Sequence, residues 1–312
     1  MYILGFDIGG TKCAVITARV SDGDIKILKR EAIPTDHSIS AYAMLDLLME
    51  KADGMLDGTP DRIGISCGGP LNSQSGIILS PPTLPGWDEI RICEYMEAHY
   101  GTPVKLQNDA NACAVAEWKF GAGKGYKNLV FLTFGTGMGA GLILNGALYE
   151  GTNGNAGEVG HIRLCDDGPV GYGKAGSFEG FCSGGGIAKL AYNMALEKAD
   201  PPLYFSSGMQ ECEVTAHTVA MAAKAGDETA KEVYRISAEK LGFALSVLID
   251  ILNPEAIIIG SIFARCEPLF RKDTEKIIAN EALRHSAFCV KILPAALGDS
   301  IGDYAALGVA LL

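Results

Sequence analysis

The stretch Asp7-Ile-Gly-Gly-Thr-Lys12 decides the fold of this chain. It separates two short apolar runs, Tyr2–Phe6 and Ala14–Ala18, which are typical of two strands joined by a glycine turn. Glycines leave consecutive backbone N–H groups unshielded, and such a concavity binds anions. The charge of Asp7 would repel a phosphate in this turn unless a cation lies between them. Together with the Thr11 hydroxyl, the aspartate therefore favours a Mg²⁺–nucleotide site.

A second glycine turn, Gly135-Thr-Gly-Met-Gly-Ala-Gly141, lies between the apolar runs Leu129–Phe134 and Leu142–Leu144. One such turn is weak evidence, because most are simply tight hairpins. Two turns, each with a threonine after glycine, are more specific, and their similarity predicts two related lobes. Neither turn matches the P-loop pattern, and neither precedes a helix as a dinucleotide-binding turn does. The pattern disfavours both of those nucleotide folds.

The composition limits the possible classes of protein. With 312 residues, 48% of them hydrophobic, the chain exceeds the usual size of one domain, so two lobes are expected. A net charge of −11 disfavours nucleic acid as a partner. The 9 cysteines are scattered without a C-x-x-C pair, which predicts reduced thiols rather than a disulfide framework. No apolar run reaches the roughly 18 residues of a membrane span. We therefore expect a cytoplasmic protein without membrane contact.

Two further segments point to a binding site. The Gly-, Pro- and Ser-rich excursion from Gly68 to Trp87 is long for a compact domain, which indicates a binding role. Trp87 is either a platform on the substrate side or an anchor for this loop. The pair Asn108-Asp109 directly precedes a helical pattern, and its simplest interpretation is a helix cap.

Several motifs together resemble a known family. The two glycine turns resemble the first and second phosphate motifs of the actin/hexokinase/Hsp70 ATPase superfold. Within that superfold the chain resembles the ROK family of bacterial sugar kinases and repressors, from the first strand to the last helix. The segments that carry this resemblance are Asn108-Asp-Ala-Asn111 with Glu117, Gly151-Thr-Asn-Gly-Asn-Ala-Gly-Glu-Val-Gly-His161, Pro85-Gly-Trp87, Ile258-Ile-Gly260 and Leu297-Gly-Asp with Ala306-Leu-Gly308.

The resemblance implies an α/β fold of two ribonuclease-H-like, actin-like ATPase lobes with the active site in a central cleft. Residues 1–107 with 298–312 would form the N-terminal lobe, and residues 108–297 the C-terminal lobe. It also implies ATP and Mg²⁺ as cofactors, a hexose as substrate, and a homodimer.

The same resemblance assigns roles to individual residues. Asp109 falls on the general base, which accepts the proton of the sugar hydroxyl. The residues expected to bind the sugar are Asn108, Glu158, His161, Glu179 and Gly69. Those expected to bind the nucleotide are Asp7 (with Mg²⁺), Gly9, Gly10, Thr11, Lys12, Gly135, Thr136, Gly137, and, near the adenosine, Gly184 and Gly260. Two assignments have simpler alternatives: a structural histidine at position 161 and a solvated lysine at position 12.

The chain departs from the family at one place. Many members carry a zinc site, C-x-C-G-x-x-G-C-x-E, after the histidine. Here the three cysteine positions hold Val170, Tyr172 and Ser177, so we expect no structural zinc. Packing from Tyr172 or Phe178, or a hydrogen bond to the free imidazole nitrogen, must then orient His161.

The resulting prediction is an ATP-dependent sugar kinase that acts on a hexose 6-hydroxyl, with glucose as the first candidate. N-acetylmannosamine, N-acetylglucosamine and fructose are the alternative substrates, and a non-catalytic sugar sensor is the alternative function. Because the chain is acidic and its first strand begins at residue 2, we do not expect the DNA-binding module of the family's repressors.

Overall fold

A computed structural model describes residues 1–21 and 23–312 of the chain. They form two compact units. Unit 1 comprises Met1–Gly125, Gly141–Ala156 and Ala296–Leu312, and unit 2 comprises Tyr126–Ala140 and Gly157–Ala295. Both units combine helices with strands, so the predicted α/β class with two lobes is confirmed.

The strands in chain order are β1 (Tyr2–Ile8), β2 (Lys12–Ser21), β3 (Asp24–Pro34), β4 (Arg62–Cys67), β5 (Leu71–Asn72), β6 (Ile77–Ile78), β7 (Val104–Asn108), β8 (Leu129–Leu132), β9 (Ala140–Leu144), β10 (Ala147–Tyr149), β11 (Val170–Gly171), β12 (Lys174–Ala175), β13 (Ala256–Ile259) and β14 (Lys291–Pro294). The helices are α1 (Ala41–Met55), α2 (Ile92–Tyr100), α3 (Asp109–Phe120), α4 (Phe178–Phe181), α5 (Gly184–Leu196), α6 (Ala216–Lys224), α7 (Glu228–Leu252), α8 (Ser261–Glu281), α9 (Arg284–Cys289) and α10 (Ile301–Val309).

Unit 1 is built on a five-stranded sheet in the order β3-β2-β1-β4-β7. The strands β3, β2 and β1 are antiparallel, whereas β1, β4 and β7 run parallel. Because successive side chains of a strand point to opposite faces, Leu4 and Phe6 enter the core shared with α1 and α2. Ile3 enters the opposite core, which it shares with α10. The sheet is therefore buried on both faces.

Helix α10 lies unusually close to the sheet because small residues face it. A Cβ added to Gly64 in β4 would overlap the carbonyl oxygen of Ala306 and the amide nitrogen of Ala310. A Cβ on Gly5 in β1 would lie 3.1 Å from the Cβ of Ala306. The close approach brings the first turn of α10 to the carboxyl end of β1.

Unit 2 is organised around α7, which contacts α5, α6, α8 and α9. Its strands β8, β13 and β14 pair in parallel. An aromatic cluster packs around Phe270, with ring centroids 5.2 Å away for Phe134 and Tyr234 and 5.8 Å for Phe263. Within residues 1–21 and 23–312, no helix is both long and apolar enough to cross a membrane.

The boundaries of the two compact units differ from those of the two lobes predicted from the motifs. The predicted lobes divide the chain at residues 107–108 and 297–298. Helix α3 belongs to unit 1 because it packs against α10 through alanines such as Ala112 and Ala305. Most residues of the β9–β10 hairpin also belong to unit 1. The lobe boundaries predicted from the motifs stay a prediction.

We predict that Gly64→Ala destabilises the protein, because the added methyl group meets backbone atoms of α10 that cannot move independently. Overpacking of this kind costs about 1–3 kcal/mol, which urea unfolding measures directly. Gly54→Ala is the matched control: Gly54 lies in α1 with nothing within 4 Å of an added Cβ. This control should gain about 0.5 kcal/mol from better helix propensity. Equal stability of the two variants would contradict the close approach of α10.

Candidate active site

The predicted site residues of unit 1 gather at the carboxyl ends of three parallel strands. In the ladders, Asp7 of β1 pairs with Ser66 of β4, and Cys67 of β4 pairs with Asn108 of β7. The carboxyl ends of parallel neighbours meet at one edge of a sheet. Beyond these ends, a Cβ on Gly69 would lie 3.1 Å from the side-chain nitrogen of Asn108. The structure thus brings two predicted sugar contacts, Asn108 and Gly69, to the same sheet edge as the predicted metal ligand Asp7. The predicted base, Asp109, directly follows Asn108.

Asn108 and Asp109 begin helix α3. The Oδ1 atom of Asn108 accepts a hydrogen bond from the amide of Ala110 at 3.0 Å, and Oδ1 of Asp109 accepts from the same amide at 2.8 Å. The helix-cap interpretation of Asn108 is therefore confirmed. Capping also fixes the orientation of both side chains at the end of the sheet, so it is compatible with a role in catalysis.

Asp7 lies in a crowded acidic environment. Its carboxylate faces the first turn of α10, where a Cβ on Gly302 would lie 2.5 Å from Oδ2. The pKa of Asp7 is raised from 3.8 to about 6. Burial is the largest cause, the negative charges of Asp303 and Asp109 also raise the pKa, and Lys12 and Arg30 oppose them. The charge of Asp109 therefore reaches Asp7, and a cation placed here would relieve the repulsion.

Asp303 was not found from the sequence. The Nε atom of Arg30 donates to both of its carboxylate oxygens, at 2.8 and 2.9 Å. The two residues are 273 positions apart in the chain, so no local pattern could have revealed the pair. Arg30 offsets part of the negative charge next to Asp7.

The first glycine turn is closed by a hydrogen bond from the amide of Gly9 to the carbonyl of Lys12, at 3.2 Å. A Cβ on Gly10 would lie 2.5 Å from the carbonyl oxygen of Thr83, which belongs to the Gly68–Trp87 excursion. Thr11 and Lys12 are exposed. Since the charge of Lys12 lowers the pKa of Asp7, this lysine lies close enough to act on the site.

Sequence reasoning also missed a network behind Asn108. The side-chain oxygen of Gln107 accepts hydrogen bonds from the amide of Asn108 at 2.8 Å and from Nδ2 of Asn111 at 3.1 Å. Its side-chain nitrogen donates to Glu150 at 2.9 Å, and Ser73 donates to the same oxygen. Gln107 immediately precedes the Asn108-Asp109 pair, which is the one signal that could have drawn attention to it.

A cavity of about 530 Å³ opens beside this network in unit 1. Its lining, taken over the described residues, includes Gln107, Glu150 and Trp118 but no predicted site residue. The excursion residue Trp87 is only 3% exposed and belongs to the core with α1 and α2. Of the two interpretations of Trp87, the structure supports the loop anchor.

In unit 2, the second glycine turn lies against the starts of two helices. The amide of Gly184, the first residue of α5, donates to the carbonyl of Gly135 at 2.8 Å. The amide of Ile262 in α8 donates to the carbonyl of Phe134 at 3.1 Å. Gly260 precedes α8, and a Cβ there would lie 3.3 Å from the carbonyl oxygen of Thr133. The predicted nucleotide residues of unit 2 are therefore adjacent to one another.

The predicted sugar-binding residues of unit 2 also lie together. Oε2 of Glu179 accepts a hydrogen bond from the amide of Met138, within the second turn, at 3.0 Å. A Cβ on Gly160, which lies between Glu158 and His161, would be 3.3 Å from Cβ of Glu179. Glu158 is exposed, and His161 and Glu179 are half-buried. These three polar side chains come from one compact segment that packs on the second turn.

A short hairpin holds His161. The ring of Tyr172 packs edge-on against the imidazole, with centroids 5.0 Å apart. Nζ of Lys174 donates to the carbonyl of His161 at 2.8 Å. Both residues belong to the β11–β12 hairpin, and Tyr172 has a positive φ of 44° at its tip. The expected packing of Tyr172 on His161 is therefore present.

We predict a pH-dependent stability gain for Asp7→Asn in metal-free buffer. The pKa of Asp7 rises from 3.8 to about 6 on folding, so the folded state binds the proton more tightly than the unfolded state. The wild-type protein should therefore lose stability relative to Asp7→Asn as pH rises from about 4 to 6. The full difference is at most about 3 kcal/mol, at 1.36 kcal/mol per pKa unit.

Urea unfolding between pH 4 and 8 measures this difference, with Asp36→Asn as the control. Hydrogen bonds from Ser38 lower the pKa of Asp36, so this variant should show a dependence of opposite sign. A pH-independent difference between Asp7→Asn and the wild type would contradict the crowded acidic environment.

Known proteins are similar to this chain over most of its length. The glucokinase of Streptomyces coelicolor is 35% identical over 262 residues, which are 82% of this chain and 80% of the relative. The glucokinase of Halalkalibacterium halodurans is 32% identical over 314 residues, covering 96% and 92% of the two chains. A ROK family glucokinase from Streptomyces griseus, solved with glucose and AMPPNP, superposes with a TM-score of 0.75 at 28% identity, over 99% of this chain and 98% of the other. The model of the ROK family matches residues 3–312, and the chain belongs to this family.

Proposed function

We propose that this protein transfers the γ-phosphate of ATP to the 6-hydroxyl of a hexose, with glucose as the first candidate. One observation carries the proposal: Asp109 begins α3 close enough to Asp7 for its charge to raise the pKa of that carboxyl beside the first glycine turn. A base next to a phosphate-binding turn is the arrangement that phosphoryl transfer to a hydroxyl requires. The curated relatives named glucokinase support a sugar kinase.

In the proposed reaction, Asp109 accepts the proton of the 6-hydroxyl as that oxygen attacks the γ-phosphorus in line. The bond to the β,γ-bridging oxygen breaks, and ADP leaves. Asn108, Glu158, His161 and Glu179 hold the remaining hydroxyl groups, because a sugar ring offers adjacent donors and acceptors that carboxylates, an amide and an imidazole can satisfy together.

The nucleotide is proposed to bind through both glycine turns. Gly9 to Lys12 would bind phosphates with backbone N–H groups, as would Gly135 to Gly137, and the starts of α5 and α8 would approach the adenosine. The acidic environment of Asp7 fits a divalent cation, since one carboxylate plus substrate phosphates is a common set of Mg²⁺ ligands. Asp7 would hold the ion, which when bound neutralises charge on the phosphates.

Two N-acetylhexosamines are alternative substrates to glucose. The small residues Ser66, Gly68 and Gly69 motivate N-acetylmannosamine and N-acetylglucosamine as alternatives, because an acetamido group needs more room than a hydroxyl. Fructose is a further alternative, and a sugar sensor without turnover is the alternative function. The homodimer and the cytoplasmic location stay predictions.

We predict that Asp109→Asn strongly lowers kcat while sugar binding persists. The amide side chain can still accept the hydrogen bond from Ala110, so α3 should remain capped. Loss of a general base typically lowers kcat by about 10²- to 10⁴-fold. The measurement is ATP consumption in a coupled assay with Mg²⁺ against glucose, fructose, mannose, allose and the two N-acetylhexosamines.

Asp53→Asn serves as the control for this experiment, because Asp53 is a surface carboxylate of the same unit that pairs with His99. Turnover of one sugar, lost in Asp109→Asn and kept in Asp53→Asn, would support the base and identify the substrate. Tight sugar binding by calorimetry without turnover of any sugar would instead favour the sensor.

We also propose that the β11–β12 hairpin orients His161 without zinc. Chelator treatment followed by Mg²⁺ should leave the activity unchanged. Tyr172→Ala should raise the KM for the sugar about two- to tenfold, since an edge-on aromatic pair contributes about 0.5–1.5 kcal/mol. Val170→Ala, an exposed position in the same hairpin, is the control. Stoichiometric zinc in the purified protein, or activity that only zinc restores, would refute the proposal.

A further inference from the structure

One short segment binds three consecutive carbonyl groups of the first glycine turn. This segment, Thr35–His37, follows β3 and is called the strap below. The hydroxyl of Thr35 donates to the carbonyl of Gly9 at 2.6 Å, and the amide of Thr35 donates to that of Thr11 at 3.0 Å. Nε2 of His37 lies 2.8 Å from the carbonyl of Gly10. A carbonyl oxygen can only accept, so this imidazole nitrogen carries the proton.

The strap determines which way the turn presents its amides. In a planar trans peptide, the carbonyl and the N–H group of the next residue point in opposite directions. The strap binds the carbonyls of Gly9, Gly10 and Thr11. The N–H groups of the residues that follow each of them, Gly10, Thr11 and Lys12, therefore point away from the strap. N–H groups gathered on one side of a turn can bind an anion.

Such a restraint matters because two glycines in succession can adopt many backbone conformations, including positive φ. Without hydrogen bonds on the carbonyl side, a ligand would have to order the turn when it binds. Thr35 is buried beside Cys13, with Oγ1 3.4 Å from Sγ, whereas His37 is exposed. The strap thus combines one hydroxyl that is fixed by packing with one imidazole that reaches over the turn.

We propose that Thr35 and His37 are positioning residues for the nucleotide: they hold the first glycine turn in its phosphate-binding conformation before ATP arrives. The inference rests on the proposed ATP-dependent function, but it concerns nucleotide affinity and does not depend on which sugar is phosphorylated. Neither residue touches the reacting atoms, and the side chains act through the backbone of the turn.

The test measures the affinity for AMPPNP with Mg²⁺ by calorimetry, together with the KM for ATP and the KM for the sugar. His37→Ala and Thr35→Val should each raise the Kd and the KM for ATP about two- to tenfold, the effect of one lost hydrogen bond. The KM for the sugar should stay unchanged. His37→Gln, whose amide nitrogen can donate to the carbonyl of Gly10, should restore most of the affinity.

His99→Ala is the matched control, because His99 is an exposed histidine of unit 1 that donates to Asp53 rather than to the turn. Unchanged nucleotide affinity in both strap variants would overturn the inference. A parallel loss of Tm, sugar affinity and nucleotide affinity would also overturn it, because it would indicate a merely structural role. If no sugar is phosphorylated but His37→Ala weakens AMPPNP binding, the proposed function is wrong, whereas the inference about the strap is supported.

Discussion

The parallel alignment of β1, β4 and β7 is the constraint on which the unit 1 site depends. It brings the chain out of the sheet at one edge, so the carboxylates of Asp7 and Asp109 become neighbours although 102 positions separate them. Burial is the largest cause of the raised pKa of Asp7, and the like charges of Asp303 and Asp109 raise it as well. The site is therefore electrostatically unfavourable on its own. Such an arrangement is typical of a place whose purpose is to bind a cation or a proton.

The last helix completes this site through close packing. Gly5 and Gly64 let the backbone of α10 approach the strands more closely than a methyl group would allow. The approach brings Gly302 against the carboxylate of Asp7 and Asp303 to the same edge. Arg30 then pairs with Asp303 from β3 and offsets the added charge. Fold and electrostatics are coupled here, since moving α10 away would change both the packing and the charge around Asp7.

The predictable part of the molecule is the part encoded by local pattern. Both glycine turns, the strands β1, β2, β8 and β9 beside them, and helix α3 follow from the sequence pattern and from the residues that interrupt it. Helix α8 was not predicted, because Pro268 and many charged residues interrupt its apolar pattern. In the structure, the φ and ψ angles of Cys266 lie outside the helical range. The predicted site residues came from motifs, and these motifs include none of the neighbouring residues Arg30, Asp303 and Glu150. Each of these acts through a partner 43 or more positions away, and a single sequence contains no signal for such pairs.

The two glycine turns resemble each other in sequence, yet they are held by different means. Side chains of Thr35 and His37 bind the first turn, so single substitutions can release it without disturbing a helix. At the second turn, the backbone amides of Gly184 and Ile262 bind the carbonyls of Gly135 and Phe134, and the hydroxyl of Thr133 accepts from the amide of Gly139. Glu179 adds a side-chain contact, to the amide of Met138. This carboxylate cannot change its position without affecting the second turn. A sugar bound at Glu179 and a phosphate bound at the second turn would therefore act on the same short piece of backbone, which gives a physical route for coupling between the two substrates.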